Sequence, residues 1–321
     1  MPPFSPTHED TGLPGALASR TAHVVHLTHN DLDAVGADAI HRMKFTDTGV
    51  FTLWSSVGKF RDLFSLVAGT PGKGDTLSIS DLGYQKGLET TAGRARANGW
   101  VIEWRDHHRW RDEEMAAVRP AVQYLDVDTG VCATGIVARD LMPGSPVAAE
   151  VARVVCDYDL WKHADPRSAV LGQVLQRKKN RDHVRDCLTR GIFSDPRIEA
   201  ENAEITAEMD GMMEKSLRHA TFRGTKYRIA FAPLYGYPSE TAHYIRAKEK
   251  TDIEVIIGKD GKFSLRSVPP VSHLIAREFG GGGHPNAAGG SFSFTVVERF
   301  TWWLFKKSRH FDGFVRIAEQ Y

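Results

Sequence analysis

His23-Val24-Val25-His26-Leu27-Thr28-His29-Asn30-Asp31-Leu32-Asp33 is the stretch from which the rest of this chain can be read. It opens as a short apolar run, as a buried strand would. Ala34-Val35-Gly36-Ala37-Asp38-Ala39-Ile40 behind it has the composition of a helix start. One imidazole and two carboxylates therefore fall where a strand ends and a helix begins, which is where open α/β sheets bind ligands. Alternate residues of an extended segment point the same way, so His29, Asp31 and Asp33 can converge on one spot. Two carboxylates held together repel, and a divalent cation is the simplest remedy. A plainer reading stands beside it, with Asp33 as a helix N-cap and His29 as a polar residue after a strand.

Outward from this stretch, strand-like and helical runs alternate as far as about Val155. Strands are expected at 23–28, 50–54, 76–80, 100–103 and 122–125, and helices at 35–44, 58–67, 85–98 and 129–140. Such alternation predicts an α/β fold with a doubly wound, mainly parallel sheet. The pattern is then mainly helical to about Leu217, with Pro146 and Pro196 marking helix starts. Residues 197–218 read as one long helix that either connects two domains or packs as a core helix. Strands return at 227–232, 243–247, 253–257 and 263–267, with Asp260-Gly261 as a hairpin signal. A helix at 271–279, a strand near 291–294 and an amphipathic C-terminal helix complete a smaller α/β domain with a mixed sheet. The expected division is a flexible tail at 1–20, a first domain at 21–190, a helical linker at 191–222 and a second domain at 223–321.

The 321 residues carry a formal net charge of +1, so bulk charge gives no case for binding long duplex DNA. The cysteines, Cys132, Cys156 and Cys187, are few, odd in number and not in C-x-x-C spacing. That argues against a disulfide scaffold or a structural zinc site and predicts a reducing, cytoplasmic setting. No apolar run approaches the length needed to span a bilayer, and the first twenty residues lack the apolar core of a secretory signal.

Three further clusters of acids and histidines end strands or helices. Ser78-Ile79-Ser80-Asp81 places Asp81 at the carboxyl end of a strand, and Val101-Ile102-Glu103-Trp104-Arg105-Asp106-His107-His108 places an acid and two histidines at another. Val154-Val155-Cys156-Asp157-Tyr158-Asp159 follows an apolar helix face. Singly, each has an ordinary explanation as a turn, a polar terminus or a helix cap. Together they converge on one edge of the sheet. Oxygen ligands with one or two imidazoles suit Mn²⁺, and less exclusively Mg²⁺, Fe²⁺ or Zn²⁺. The acids are too many for one open ion, whereas two ions roughly 3.5–4 Å apart and bridged by a shared carboxylate would use them all. Such a pair clamps both oxygens of an in-line displacement at phosphorus, so hydrolysis of a phosphoester or phosphoanhydride is expected.

His29-x-Asp31-x-Asp33-Ala34, Asp81, Asp106-His107-His108 and Asp157-Tyr158-Asp159 resemble, in order, the four motifs of the DHH phosphoesterase superfamily. Gly281-Gly282-Gly283-His284-Pro285-Asn286-Ala287-Ala288-Gly289-Gly290 resembles the signature of the DHHA1 domain, and Phe263-Ser264-Leu265-Arg266-Ser267 the strand that carries its substrate-binding arginine. The resemblance implies that His29 and Asp31 hold one metal, Asp33 and His107 the other, and that Asp81 bridges them. An acid of the fourth motif, Asp157 in preference to Asp159, would complete the coordination of the first of these metals, the one held by His29 and Asp31. His108 would contact the scissile phosphate and Asp106 would orient a histidine, which makes Asp81, Asp106 and His108 the candidate catalytic residues. In the second domain the glycine run, with Gly282 and Gly283, lets backbone approach a ligand and form an anion nest. His284 and Asn286 add donors there, and Arg266 a planar fork for phosphate. The ordinary reading of that run is a flexible turn.

The resemblance implies a manganese-dependent phosphodiesterase of the oligoribonuclease type. Its first domain would cut, and its second would grip the end of a short single-stranded RNA or DNA in a cleft between them. Alternative substrates are cyclic nucleotides or dinucleotides, linear dinucleotides and pAp. A catalytically inactive nucleotide sensor is the alternative from another class. Nucleases resembling RecJ carry further domains for which this length leaves no room. No membrane partner is expected, and a homodimer is compatible with the sequence. The basic stretch Arg177 to Arg181 reads as a solvated helix face, and Trp302-Trp303 as core.

Overall fold

The computed structural model describes residues 12–321, and the expected alternation is realised in it. The chain divides into two units, one ending at Asn202 and the other running from Ala203 to Tyr321. The first begins with α1 (Leu13–Ala18), β1 (Val24–Thr28), α2 (Leu32–Lys44), β2 (Val50–Trp54), α3 (Phe60–Ala68), β3 (Thr76–Ser80) and α4 (Leu88–Ala97). It continues with β4 (Val101–Asp106), α5 (Asp112–Val118), β5 (Tyr124–Val127), α6 (Ala133–Leu141), α7 (Pro146–Asp159), α8 (Pro166–Val174), α9 (Arg181–Thr189) and the start of α10 (Pro196–Arg218). The five strands form a parallel sheet in the order β2-β1-β3-β4-β5. Chain direction across the sheet reverses at β1 and β3, and a doubly wound sheet opens its ligand crevice at the carboxyl ends of such a pair.

The two faces of this sheet differ. Val25, Leu27, Leu77, Ile79, Ile102 and Trp104 pack on one side against Phe60, Phe64 and Val67 of α3 and Ala92 and Ala95 of α4. The residues between them face α2 and are largely polar. His26 Nδ1 lies 2.8 Å from Asp38 Oδ1, and its Nε2 lies 2.8 Å from Ser80 Oγ. Thr52 Oγ1 donates to Asp38 at 2.7 Å and Arg42 Nε at 3.0 Å. His41 Nε2 lies 2.8 Å from Ser78 Oγ, and burial pushes its imidazole well below the usual range, so it is neutral. Outside this layer α2 packs with α6, α7, α8 and α9 in a second apolar cluster.

Two expectations are corrected here. Residues 13–18 of the supposed tail form α1 with Leu17 fully buried, so they belong to the core; positions 1–11 of that reading lie outside the described residues. Cys132 and Cys156 form a disulfide, which ties the N-cap of α6 to α7. The sequence spacing of 24 hid that pairing, because only the packing of α6 on α7 brings the two Cα atoms to 5.2 Å. Cys187 remains a buried free thiol.

The long helix α10 runs through the division between the two units. Ile198 of α10 packs in the first unit, while Ile205, Met209 and Met213 pack with Tyr237 and Tyr244 in the second. The second unit continues with β6 (Thr221–Arg223), β7 (Ile229–Pro233), α11 (Pro238–Glu249), β8 (Ile253–Ile257), β9 (Lys262–Ser267) and α12 (Ser272–Glu278). It closes with β10 (Gly282–His284), β11 (Ala287–Ser291), α13 (Val296–Phe305) and α14 (His310–Ala318). Its mixed sheet has the order β10-β11-β9-β8-β7-β6, in which β7 and β8 are parallel. A parallel neighbour needs a crossover, and residues 243–247, expected as a strand, lie inside the crossover helix α11. Pro238 at its start and buried Ala242 and Ile245, three apart, are the helical signals outweighed in that reading.

The glycine run is likewise not a loop: Gly282–His284 pairs with Ala287–Gly289, and the strand expected near 291–294 ends at Ser291. The one C-terminal helix is two, α13 and α14. Trp302 is core and donates to Gly258 O at 3.1 Å, whereas Trp303 is exposed. Among the described residues no helix is long and apolar enough to cross a membrane.

Candidate metal centre

The carboxyl ends of β1, β3 and β4 and the last turn of α7 meet in one cluster of acids and imidazoles. β1 ends at Thr28, and Asn30 Nδ2 anchors the following loop to Ser55 O at 2.7 Å. Asp31 caps α2 by accepting from Ala34 N–H at 3.1 Å through Oδ1. That turns its Oδ2 to His29, whose Nδ1 is 2.8 Å away. The cap is therefore Asp31 and not Asp33. Asp33 sits buried in the first turn, and both of its oxygens accept backbone N–H groups from the N-terminus of α6, Ala133 and Thr134, each at 2.7 Å. Thr134 Oγ1 also donates to Asp33 O at 2.6 Å. No signal near Asp33 in the sequence points to these partners one hundred residues on; a helix N-terminus is nevertheless a ready anion site.

Asp81 follows β3 with φ of 55°, a left-handed backbone uncommon for aspartate. Strain of this kind gathers at functional sites. Its carboxylate lies between the two halves of the cluster. Oδ2 is 3.7 Å from His29 Nδ1, and Oδ1 is 3.3 Å from His107 Nε2. His107 Nε2 is also 3.7 Å from Asp33 Oδ2, and its Nδ1 is 3.5 Å from Asp159 Oδ2. Among the described residues, ligand atoms of His29, Asp31 and Asp81 lie close enough to hold one metal ion. Those of Asp33, His107 and Asp159 lie close enough for another, and Asp81 also groups with His107 and His108.

His108 Nδ1 lies 2.8 Å from Asp106 Oδ1, and Trp110 Nε1 donates to Asp106 Oδ2 at 2.7 Å. Asp106 is thus buried with a partner on each oxygen, and it orients His108. Its hydrogen bond raises the imidazole above the usual range against the opposing effect of burial.

Asp157 is corrected. It lies outside the cluster, where Oδ1 accepts from Ala164 N–H at 3.0 Å and Oδ2 accepts from Asp165 N–H at 3.1 Å and Ser168 Oγ at 2.6 Å. Despite burial, these bonds hold its carboxyl below the usual range, as suits an ionised group that organises the loop into α8. Asp159, the less favoured of the pair, faces His107, so the fourth acid joins Asp33 and not His29.

Burial and like charge dominate the electrostatics of the cluster. Oδ2 of Asp81 and Oδ2 of Asp159 are buried without a hydrogen-bond partner. Burial, then the charges of Asp31, Asp33 and Asp159, push Asp81 well above the carboxylate range. Burial, then Asp33 and Asp31, push Asp159 up to about 8. Buried oxygens without donors, in a group of like charges, fit divalent cations that take oxygen and imidazole ligands.

The second unit holds the other candidate residues. Arg266 lies on β9 opposite Ala287, and its Nη2 donates to Ser239 Oγ at 2.7 Å. Gly282, Gly283 and His284 form exposed β10. A Cβ at Gly281 would meet Gly289 O at 1.8 Å and one at Gly283 would meet Ala287 O at 2.6 Å, so these glycines serve the close hairpin itself. Open space faces Gly282. Asn286 is corrected as a free donor, because its Nδ2 is committed to Ser267 O at 3.1 Å and Val268 O at 2.9 Å.

No protein-family model matches the chain, and no curated protein matches it by sequence. Solved structures do match. The structure of exonuclease RecJ bound to manganese is 14% identical over 97% of this chain and 95% of that one, with a TM-score of 0.57. An exopolyphosphatase-related protein from Bacteroides fragilis is 15% identical over 96% of this chain and 94% of that one, with a TM-score of 0.54. A pGpG-specific phosphodiesterase from Vibrio cholerae is 13% identical over 88% of this chain and 98% of that one, with a TM-score of 0.53. At these identities the likeness is one of fold.

Proposed function

We propose that this chain, whose fold is that of the DHH/DHHA1 phosphoesterases, is a two-metal phosphodiesterase that cuts short oligonucleotides to mononucleotides. The observation that carries this reading is the pair of buried oxygens without a hydrogen-bond partner on Asp81 and Asp159, inside a ring completed by His29, Asp31, Asp33 and His107. His29 and Asp31 would hold one divalent cation and Asp33, His107 and Asp159 the other, with Asp81 serving both. Mn²⁺ suits these donors first, then Mg²⁺ or another transition metal. Bound there, such a pair supplies a water acidic enough to attack phosphorus at neutral pH and an electrophilic clamp for the phosphoryl oxygens.

The chain's own groups do the rest. His108, biased toward its cationic form by Asp106, donates to a non-bridging oxygen of the scissile phosphate and offsets the charge that develops there. Asp106 keeps that ring from turning. Arg266, held by Ser239, takes a terminal phosphate in its fork. The open backbone at Gly282, with Gly283 and His284, lies against the same end of the substrate.

Incubation of labelled RNA dimers to pentamers with Mn²⁺ is expected to release mononucleotides, and Arg266→Ala to raise KM far more than it changes bound metal. Inertness toward these substrates and toward pGpG, pAp and cyclic nucleotides alike would overturn the reading. Asp81→Ala separates an enzyme, which loses turnover, from a nucleotide sensor, which keeps its affinity. A second reading, cleavage of linear dinucleotides alone, is favoured by the fold likeness to a pGpG-specific phosphodiesterase over 98% of that protein's length. A kcat/KM for pGpG far above that for the pentamer selects it.

A further inference from the structure

A second group of metal-ligating side chains lies away from the acid cluster. His183 and Cys187 are four apart on α9 and so share one face of that helix. Asp195 is the residue before α10. Its two oxygens divide their work. Oδ1 accepts from Ile198 N–H at 2.8 Å and caps α10, which leaves Oδ2 for the other two side chains. His183 Nε2 lies 2.8 Å from Asp195 Oδ2, while Cys187 Sγ lies 3.5 Å from that oxygen and 3.7 Å from the same ring nitrogen. One imidazole nitrogen, one thiol and one carboxylate oxygen therefore face a common point.

The spacing is that of a tetrahedral site. With usual zinc bond lengths to sulfur, nitrogen and oxygen, tetrahedral edges are about 3.6 Å for S···N, about 3.5 Å for S···O and about 3.3 Å for N···O. Two of the three observed edges already have these values. The third, the His183–Asp195 hydrogen bond, would open by about 0.5 Å on those bond lengths. His183 is only partly buried, so opening that contact does not require moving a core side chain. A cysteine nucleophile with a histidine base needs the base's second nitrogen on the acid, and here a single nitrogen faces both partners. Capping α10 needs neither imidazole nor thiol.

We propose that His183, Cys187 and Asp195 form a second divalent-metal site, of the zinc class, that ties α9 to the first turn of α10. The thiol proton leaves to solvent as the metal–sulfur bond forms. Arg190 Nη2 donates to the Cys187 sulfur at 3.8 Å and belongs to an exposed side chain that can swing away. A thiolate and an imidazole select Zn²⁺ or Co²⁺ over Mn²⁺ and Mg²⁺, so the first unit would hold two kinds of metal site.

Anaerobic titration of the full chain with Co²⁺, which keeps the Cys187 thiol and leaves the Cys132–Cys156 disulfide in place, tests this through the thiolate-to-cobalt charge-transfer absorption. With excess Mn²⁺ present to fill the acid cluster, the expected result is a band that saturates at one equivalent of Co²⁺ and that Zn²⁺ abolishes. Cys187→Ser should remove it. Asp195→Asn, which keeps a capping side chain, should weaken Co²⁺ binding at least tenfold, and Asp81→Asn should leave it unchanged. Absence of the band, its survival in Cys187→Ser, or its indifference to Asp195→Asn and His183→Gln overturns the site.

Discussion

Asp157 and Asp159 stand two residues apart on the last turn of α7 and do opposite work. Residues i and i+2 of a helix do not face each other. One carboxylate therefore turns to the loop before α8 and the other to His107. Asp157→Ala should cost about 3 kcal/mol of stability, since three donors lose their acceptor, and leave Mn²⁺ affinity intact. Asp159→Ala should barely move the melting temperature and should lower turnover by roughly 100-fold or more. Chemical denaturation and a nucleotide-release assay on both variants check the division. A swap of the two phenotypes would restore Asp157 to the centre. Asp159 also predicts a pH dependence. With its carboxyl pushed up to about 8 by burial and then by Asp33 and Asp31, the metal-free chain holds a proton there at neutrality. A cation must displace that proton. Affinity for Mn²⁺ should therefore climb as pH rises toward 8 and level above it, with protons released on binding. Asp159→Asn should make the climb less steep and lower the number of protons released, Asp81 keeping its share. Calorimetry in two buffers of different ionisation enthalpy measures the release.

At the scale of elements, α2 connects packing to the site. Its N-cap and first turn present Asp31 and Asp33, its inner face meets the polar side of the sheet, and its outer face packs on α6 and α7. Gly36 sits at the closest approach, where an added Cβ would lie 2.6 Å from Thr134 Oγ1 and 2.9 Å from Val155 Cγ2. Thr134 is the residue whose N–H and hydroxyl hold Asp33. Gly36→Val should therefore destabilise the fold by about 1–3 kcal/mol through overpacking. It should also weaken metal binding although it touches no ligand. Unfolding midpoints and Mn²⁺ titration of this variant check both; an unchanged metal affinity would show that α6 does not position Asp33. This contact also explains what sequence reading missed. Asp33 and Asp31 were legible as an acidic pair at a helix start. Which of them capped the helix depended on the distant N-terminus of α6. The helix α11 was misread because five of its residues look strand-like alone, while the parallel pairing of β7 and β8 demands a crossover.

At the scale of the whole molecule, a net charge of +1 leaves little long-range field to gather polyanions. Hydrolysis should therefore depend weakly on salt. A log–log slope of kcat/KM against salt no steeper than about −1.5 would correspond to one or two phosphate contacts on a single strand. Assays of a trinucleotide across a range of salt concentrations test it, and a slope expected for six contacts would point to a long groove and a longer substrate. The sequence by itself determined the alternation that makes a doubly wound sheet, and the strand ends that carry His29, Asp81 and His107, because periodicity and chain order are local properties. It also contained every member of the acid cluster. Only the tertiary structure decided which of Asp157 and Asp159 joins it, that Cys132 meets Cys156, and that one face of the parallel sheet is polar beneath α2. Each of those depends on the rotation of a packed helix about its own axis. That rotation is set by contacts between residues far apart in the chain, not by the pattern within the helix.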